Sequence, residues 1–76
     1  MIPRFYACII GSEILNGRRQ DGHFSFLLQR LQTLGLSLYA TFIIPDDPSF
    51  IKHIFQLVYN DPQSVMFCFG GIGATP

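Results

Sequence analysis

Three strand-like runs, separated by two segments with the period of a helix, constrain this 76-residue chain more than any other feature. Phe5-Tyr6-Ala7-Cys8-Ile9-Ile10 is apolar without a break, follows Arg4, and ends at Gly11. A run that does not alternate fits a central parallel strand covered on both faces. Residues 36–44 return to strand character before Pro45, and Val65-Met66-Phe67-Cys68-Phe69 is a third run that empties into Gly70. Over residues 23–34, Phe24, Leu27, Leu28, Leu31 and Leu34 fall on one stripe while Gln29, Arg30, Gln32 and Thr33 face away, the pattern of an amphipathic helix. Asp21 is placed to cap it, and Gly35 supplies the left-handed residue that commonly ends a helix. A second helix starts with Asp47 as N-cap and Pro48 in the first helical position, with Phe50, Ile51, Ile54, Phe55 and Val58 as its apolar face. Asn60-Asp61-Pro62 is the turn out of it. The order β-α-β-α-β predicts an α/β fold whose strands pair in parallel through right-handed crossovers.

Length and composition narrow the function classes. Seventy-six residues allow one domain, of modest buried area and hence marginal stability. Five basic residues balance five acidic ones, and Arg18-Arg19 is the only adjacent basic pair. A nucleic-acid surface shows clustered Lys and Arg, so no nucleic-acid partner is expected. The hydrophobic fraction of 49% and the eight Phe suggest strands buried on both faces, or surface that another part of a larger molecule covers. No apolar run approaches the ~20 residues needed to span a bilayer. The N-terminus lacks a long apolar region with a small-residue cleavage site, so a soluble, cytoplasmic protein with no membrane partner is expected. Cys8 and Cys68 each sit inside a strand-like run. They read as reduced, buried thiols rather than a disulfide or a zinc site, because there is no CxxC motif.

In parallel sheets of this kind, ligands sit in the crevice beyond the carboxyl ends of the strands. Three segments emerge there: the loop from Gly11, the Pro45-Asp46-Asp47 turn, and the glycine-rich stretch Gly70-Gly71-Ile72-Gly73-Ala74-Thr75-Pro76. Residues 11–22 read as one long loop bracketed by glycines, and loops of that length in small domains are usually functional or disordered. Glycines after a strand let backbone N–H groups approach a phosphate closely. The plain alternative is a tight strand-to-helix turn, since Thr75 and Pro76 have the character of an N-cap and a first helical residue. No Lys follows, so this is not a Walker A loop, nor is it a complete dinucleotide fingerprint. Ser12 and Glu13 stand where a hydroxyl and a carboxylate would face the crevice, with Glu13 a ligand for Mg²⁺ or a hydrogen-bond acceptor, against the equally good reading of a turn with a solvated acid. Asp47 already has a capping task, which leaves Asp46 as the metal-binding or ligand-orienting acid. Arg18 and Arg19 are candidates for phosphate, against the simpler reading of a solvated pair. His23, at a helix start, reads as a ligand contact or an acid–base group, or as a partly exposed histidine with no task.

These residues also resemble a known family. Gly11-Ser12-Glu13-Ile14-Leu15-Asn16-Gly17, Ile44-Pro45-Asp46-Asp47 and the stretch from Gly70 to Pro76 look like the three signature loops of the molybdopterin-binding (MoCF) domain. That domain occurs in molybdenum-cofactor biosynthesis proteins and in the competence/damage-inducible protein CinA. Arg18-Arg19-Gln20-Asp21-Gly22-His23-Phe24 is more similar to the CinA-like proteins than to the molybdopterin adenylyltransferases. The resemblance runs from about Phe5 to Pro76. It implies a three-layer α/β/α, Rossmann-like fold that binds molybdopterin or a nucleotide phosphate at the strand ends. By the same resemblance, Gly70, Gly71, Gly73 and Thr75 match the ligand-cradling loop. Asp46 matches an acid implicated in catalysis or Mg²⁺ binding, and Glu13 matches an acidic position in the first loop. His23 departs from the Asn that many CinA proteins carry there.

Family members continue past the glycine loop, so the chain is expected to be the N-terminal part of the domain, inactive alone. A full-length relative is expected to be a homo-oligomer and either an adenylyltransferase of molybdenum-cofactor biosynthesis, a Mg²⁺-dependent pyrophosphatase acting on a nucleotide such as ADP-ribose, or a binding-only module. Isolated chain is expected to self-associate through unpaired strand edges.

Overall fold

Strand β1 (Arg4–Ile10) is the middle of a three-stranded sheet of order β2-β1-β3, with β2 (Leu38–Ile44) on one side and β3 (Ser64–Phe69) on the other. This computed structural model describes residues 2–70. Both pairings are parallel, and the register sets Cys8 between Phe42 and Cys68 and Ile10 beside Ile44. A middle strand with neighbours on both sides and helices above and below has no solvent face. Tyr6, Ala7, Cys8, Ile9 and Ile10 are accordingly all buried, which is why that run is apolar without alternation.

Successive side chains of β1 serve opposite layers, because a strand alternates its faces. Cys8 and Ile10 join Ile44 of β2 and Ile54 of helix α3 (Pro48–Tyr59), with Phe42, Ile51, Phe55 and Met66 packed around them. On the other face Ala7 meets Leu27 and Leu31 of helix α2 (His23–Thr33), with Phe5, Leu36, Leu38, Phe67 and Phe69 around them. The result is the three-layer α/β/α arrangement, with one helix on each face of a parallel sheet.

The ends of both helices follow from local chemistry. Asp47 caps α3 through its side chain, which accepts from the Ser49 and Phe50 N–H groups, and Pro48 occupies the first turn. Asp21 accepts from the His23 and Phe24 N–H groups at 3.0 Å each, so it serves the start of α2 as expected. At the other end Gly35 takes φ +73°. Its N–H donates to Gln32 O while the Leu36 N–H donates to Leu31 O, the paired closure known as the Schellman motif.

That closure explains two differences from expectation. Strand β2 begins at Leu38 rather than at residue 36 because Leu36 completes the helix stop and packs into the α2 cluster. Leu34, placed on the apolar stripe by its spacing, is 72% exposed because it sits beyond the last helical residue. A third difference lies between residues 11 and 22. The expected long loop contains a single helical turn, α1 (Ser12–Leu15), in which Ile14 and Leu15 N–H groups donate to Gly11 O.

The amino end of the sheet is pinned by an ionic cluster. Arg4 donates to Asp61 through Nε and Nη2 at 2.6 and 2.7 Å, Tyr6 Oη donates to the same carboxylate at 2.8 Å, and the Gln63 N–H donates at 3.0 Å. The bidentate Arg4 contact, ahead of the other bonds, holds the Asp61 carboxyl well below the usual carboxylate range. A depressed carboxyl contributes stability above its unfolded-state value and loses it as pH falls toward the folded one. Stability is therefore expected to be level from pH 5 to 8 and to decline below about pH 4. Denaturant titration across pH checks this: Asp61→Asn should be less stable at pH 7 and show a shallower acid limb.

The two cysteines face each other across β1 and β3 and are both free thiols. Burial, reinforced by Cys68, pushes the Cys8 thiol up to about 11. Burial also raises Cys68, so neither is primed as a nucleophile.

Candidate phosphate-binding cleft

The sheet order decides where a site can form. The connection from β1 leads to α2 on one face, while β2 passes through α3 on the other face before reaching β3. The connections that leave the neighbouring strands β1 and β2 thus diverge to opposite faces, and a crevice opens at the carboxyl ends. A cleft of about 410 Å³ occupies this position. Its lining includes Gly11, Ser12, Glu13, Arg19, Asp21, His23, Asp46 and Gly70, with Ile9 and Ile10 as its floor.

Two hydrogen bonds and one close backbone approach hold the three segments in place. The Gly11 N–H donates to Ile44 O at 2.9 Å, continuing the sheet one residue past β1. Ser12 Oγ accepts from the Asp46 N–H at 3.1 Å, which ties the turn after β2 to the start of α1. Gly70 sits close against the end of β1: a Cβ at this position would lie 2.6 Å from Ile10 O, and its φ is +80°. Only glycine meets both conditions without displacement.

Most sequence-predicted site residues that are described here therefore meet at one cleft: Gly11, Ser12, Glu13, Asp46 and Gly70. The arginine pair divides. Arg19 lines the cleft and lies 4.0 Å from Glu13 Oε1, whereas Arg18 is exposed outside that lining. The Arg19–Glu13 pair is largely solvated, so it leaves the guanidinium available at little energetic cost. Gly71, Gly73 and Thr75 lie outside the described residues.

Two features of the cleft were not legible as such in the sequence. Asp21 does more than start α2, since its Oδ1 also lies 3.1 Å from His23 Nδ1. Burial pushes the Asp21 carboxyl up, but the Phe24 and His23 N–H groups outweigh it and hold the group below its ordinary range. The His23 ring in turn stacks on Phe69 of β3, with centroids 4.8 Å apart.

The charge balance sets what the cleft can hold. Glu13, Asp21 and Asp46 face Arg19 and His23, so a bare phosphate would meet more acid than base. Among the described residues, no group of three or more His, Cys, Asp or Glu side chains forms a metal cage. Glu13 and Asp46 are the exposed carboxylates of the lining that could offer oxygens to a hydrated cation. No helix of the described residues is long and apolar enough to cross a membrane.

The chain and its fold have counterparts among known proteins. The chain is 33% identical over 67 residues to a CinA-like protein of Nostoc punctiforme, a match covering 88% of this chain and 16% of that protein. The CinA-like protein of Acaryochloris marina gives the same identity and coverage. The crystal structure of CinA, a protein of unknown function from Thermoplasma acidophilum, superposes with a TM-score of 0.82 at 25% identity. That superposition covers 97% of this chain and 43% of the other. The chain thus spans about a sixth of the length of the curated relatives it matches. Residues 7–76 match the family described as "Probable molybdopterin binding domain", and the chain belongs to it.

Proposed function

We propose that the cleft binds the phosphate group of a molybdopterin or nucleotide ligand together with Mg²⁺. The observation that supports this reading is the convergence of Gly11, Ser12 and Glu13, Asp46 and Gly70, from three separate loops, on one crevice at the strand ends. Glycine backbone at Gly11 and Gly70 lets the ligand approach closely, Arg19 offers a guanidinium to phosphate oxygens, and Glu13 and Asp46 would hold the cation. Mg²⁺, when bound, neutralises charge between these acids and the phosphate. In the longer CinA-like proteins the same site would position a nucleotide for adenylyl transfer or for hydrolysis of a pyrophosphate such as ADP-ribose.

Phosphorus NMR with Mg²⁺ and ATP or ADP-ribose separates binding from chemistry. Shifted ligand resonances that saturate mark a binding module, and new phosphate resonances mark turnover. Binding is expected to weaken roughly 10- to 150-fold in Asp46→Asn, consistent with loss of one charged contact worth about 1.5–3 kcal/mol. Unchanged binding and turnover in that variant would remove Asp46 from the site, and ligand resonances that never move would overturn the function.

A further inference from the structure

We propose that His23 is the residue through which the cleft recognises a phosphate oxygen, donating to it from Nε2 while Asp21 holds the opposite ring nitrogen. This rests on the phosphate-binding reading of the cleft and names one contact within it. Three observations lead here. His23 lines the cleft. Its Nδ1 lies 3.1 Å from Asp21 Oδ1, and the Asp21 side chain is only 9% exposed while that of His23 is 53% exposed. The ring face is covered by Phe69, with planes 16° apart. One nitrogen and one face are therefore engaged, and among the described residues Nε2 has no hydrogen-bond partner.

The arrangement fixes the ring about both axes before any ligand arrives, so little freedom is lost on binding. It also sets the proton inventory. An ionised Asp21 accepts from Nδ1–H, so donation from Nε2 requires the imidazolium, carrying one proton on each nitrogen. A phosphate at Nε2 would give that imidazolium a second anionic neighbour. The charged groups around the same cleft are Glu13 and Arg19 from the β1–α2 connection and Asp46 from the β2–α3 turn. The contact with a phosphate oxygen is the one that calls for the second ring proton. Proton uptake should therefore accompany phosphate binding.

The test uses inorganic pyrophosphate with Mg²⁺ as probe, and reads histidine ring ¹⁵N resonances and calorimetric proton uptake at pH 7.5. The wild-type protein should bind with a saturating shift at His23 Nε2, a smaller shift at Nδ1, and net proton uptake measured by comparing buffers. His23→Ala should bind about tenfold more weakly with no proton uptake. His23→Asn, which keeps a side-chain donor, should recover part of the affinity but none of the uptake. Thermal melts establish that both variants are folded. Binding by the wild type with no Nε2 shift, or equal proton uptake in His23→Asn, would overturn the role of His23 while leaving the cleft intact. Absence of wild-type binding would overturn the cleft and this contact together.

Discussion

Gly70→Ala should destabilise the protein by about 2–5 kcal/mol, the sum of a left-handed conformation forced on an L-residue and an overpacked contact. Both terms come from one position. Gly70 has φ +80°, and a Cβ there would lie 2.6 Å from the carbonyl oxygen of Ile10. That oxygen belongs to the backbone of the middle strand, so it cannot rotate away as a flexible side chain would. Relief requires the end of β3 to move off β1, which also displaces one wall of the cleft. Gly35→Ala is the matched control. Gly35 has φ +73° but nothing within 4 Å of its added Cβ, so it should lose only the conformational part, about 1–2 kcal/mol. Denaturant titration of both variants checks the difference. Equal losses would show that the close approach of Gly70 to β1 is not a constraint.

Leu31→Ala should lose about 2–5 kcal/mol, which a domain with a total of about 5–15 kcal/mol tolerates poorly. Leu31 is 4% exposed and packs with Ala7 and Leu27 at the centre of the α2 face, with Phe5, Phe67 and Phe69 around them. It has a second task, because its carbonyl accepts from Leu36 N–H at 2.8 Å in the helix stop. The side chains of Leu31 and Leu36 meet in the same cluster, so truncation leaves a cavity where the helix end is anchored. Leu31→Met conserves volume and should lose less than about 1.5 kcal/mol. Thermal or denaturant unfolding distinguishes the two, and a mild Leu31→Ala would mean that α2 closes over the gap.

Much of the fold was legible because local signals agreed with one another. The unbroken run from Phe5 to Ile10 implied a strand covered on both sides, and β1 is the middle strand. Asp47-Pro48 and Gly35 marked helix boundaries through chemistry that does not depend on distant contacts. What escaped was set by tertiary structure. Nothing in the local pattern indicates that Arg4 and Tyr6 bind Asp61, more than fifty residues away, since Asp61-Pro62 reads simply as a turn. The single turn of α1 is too short for periodicity to reveal. At the site, position along the chain brought Gly11, Ser12, Glu13, Asp46 and Gly70 to one edge, but could not separate Arg19 from Arg18. That division depends on which way the chain leaves α1. The stacking of His23 on Phe69 likewise needs α2 and β3 placed against each other.

The most direct measurement of the central proposal is a residue-resolved amide titration of the protein with ADP-ribose and Mg²⁺. A phosphate-binding cleft predicts saturating shifts at Gly11, Ser12, Glu13, Asp46 and Gly70 that share one affinity and weaken sharply when Mg²⁺ is removed. Residues of the Arg4–Asp61 cluster, at the opposite end of the sheet, should stay unmoved. Shifts centred on that opposite end, or no saturating shift at the five cleft positions, would contradict a phosphate-binding role for the cleft.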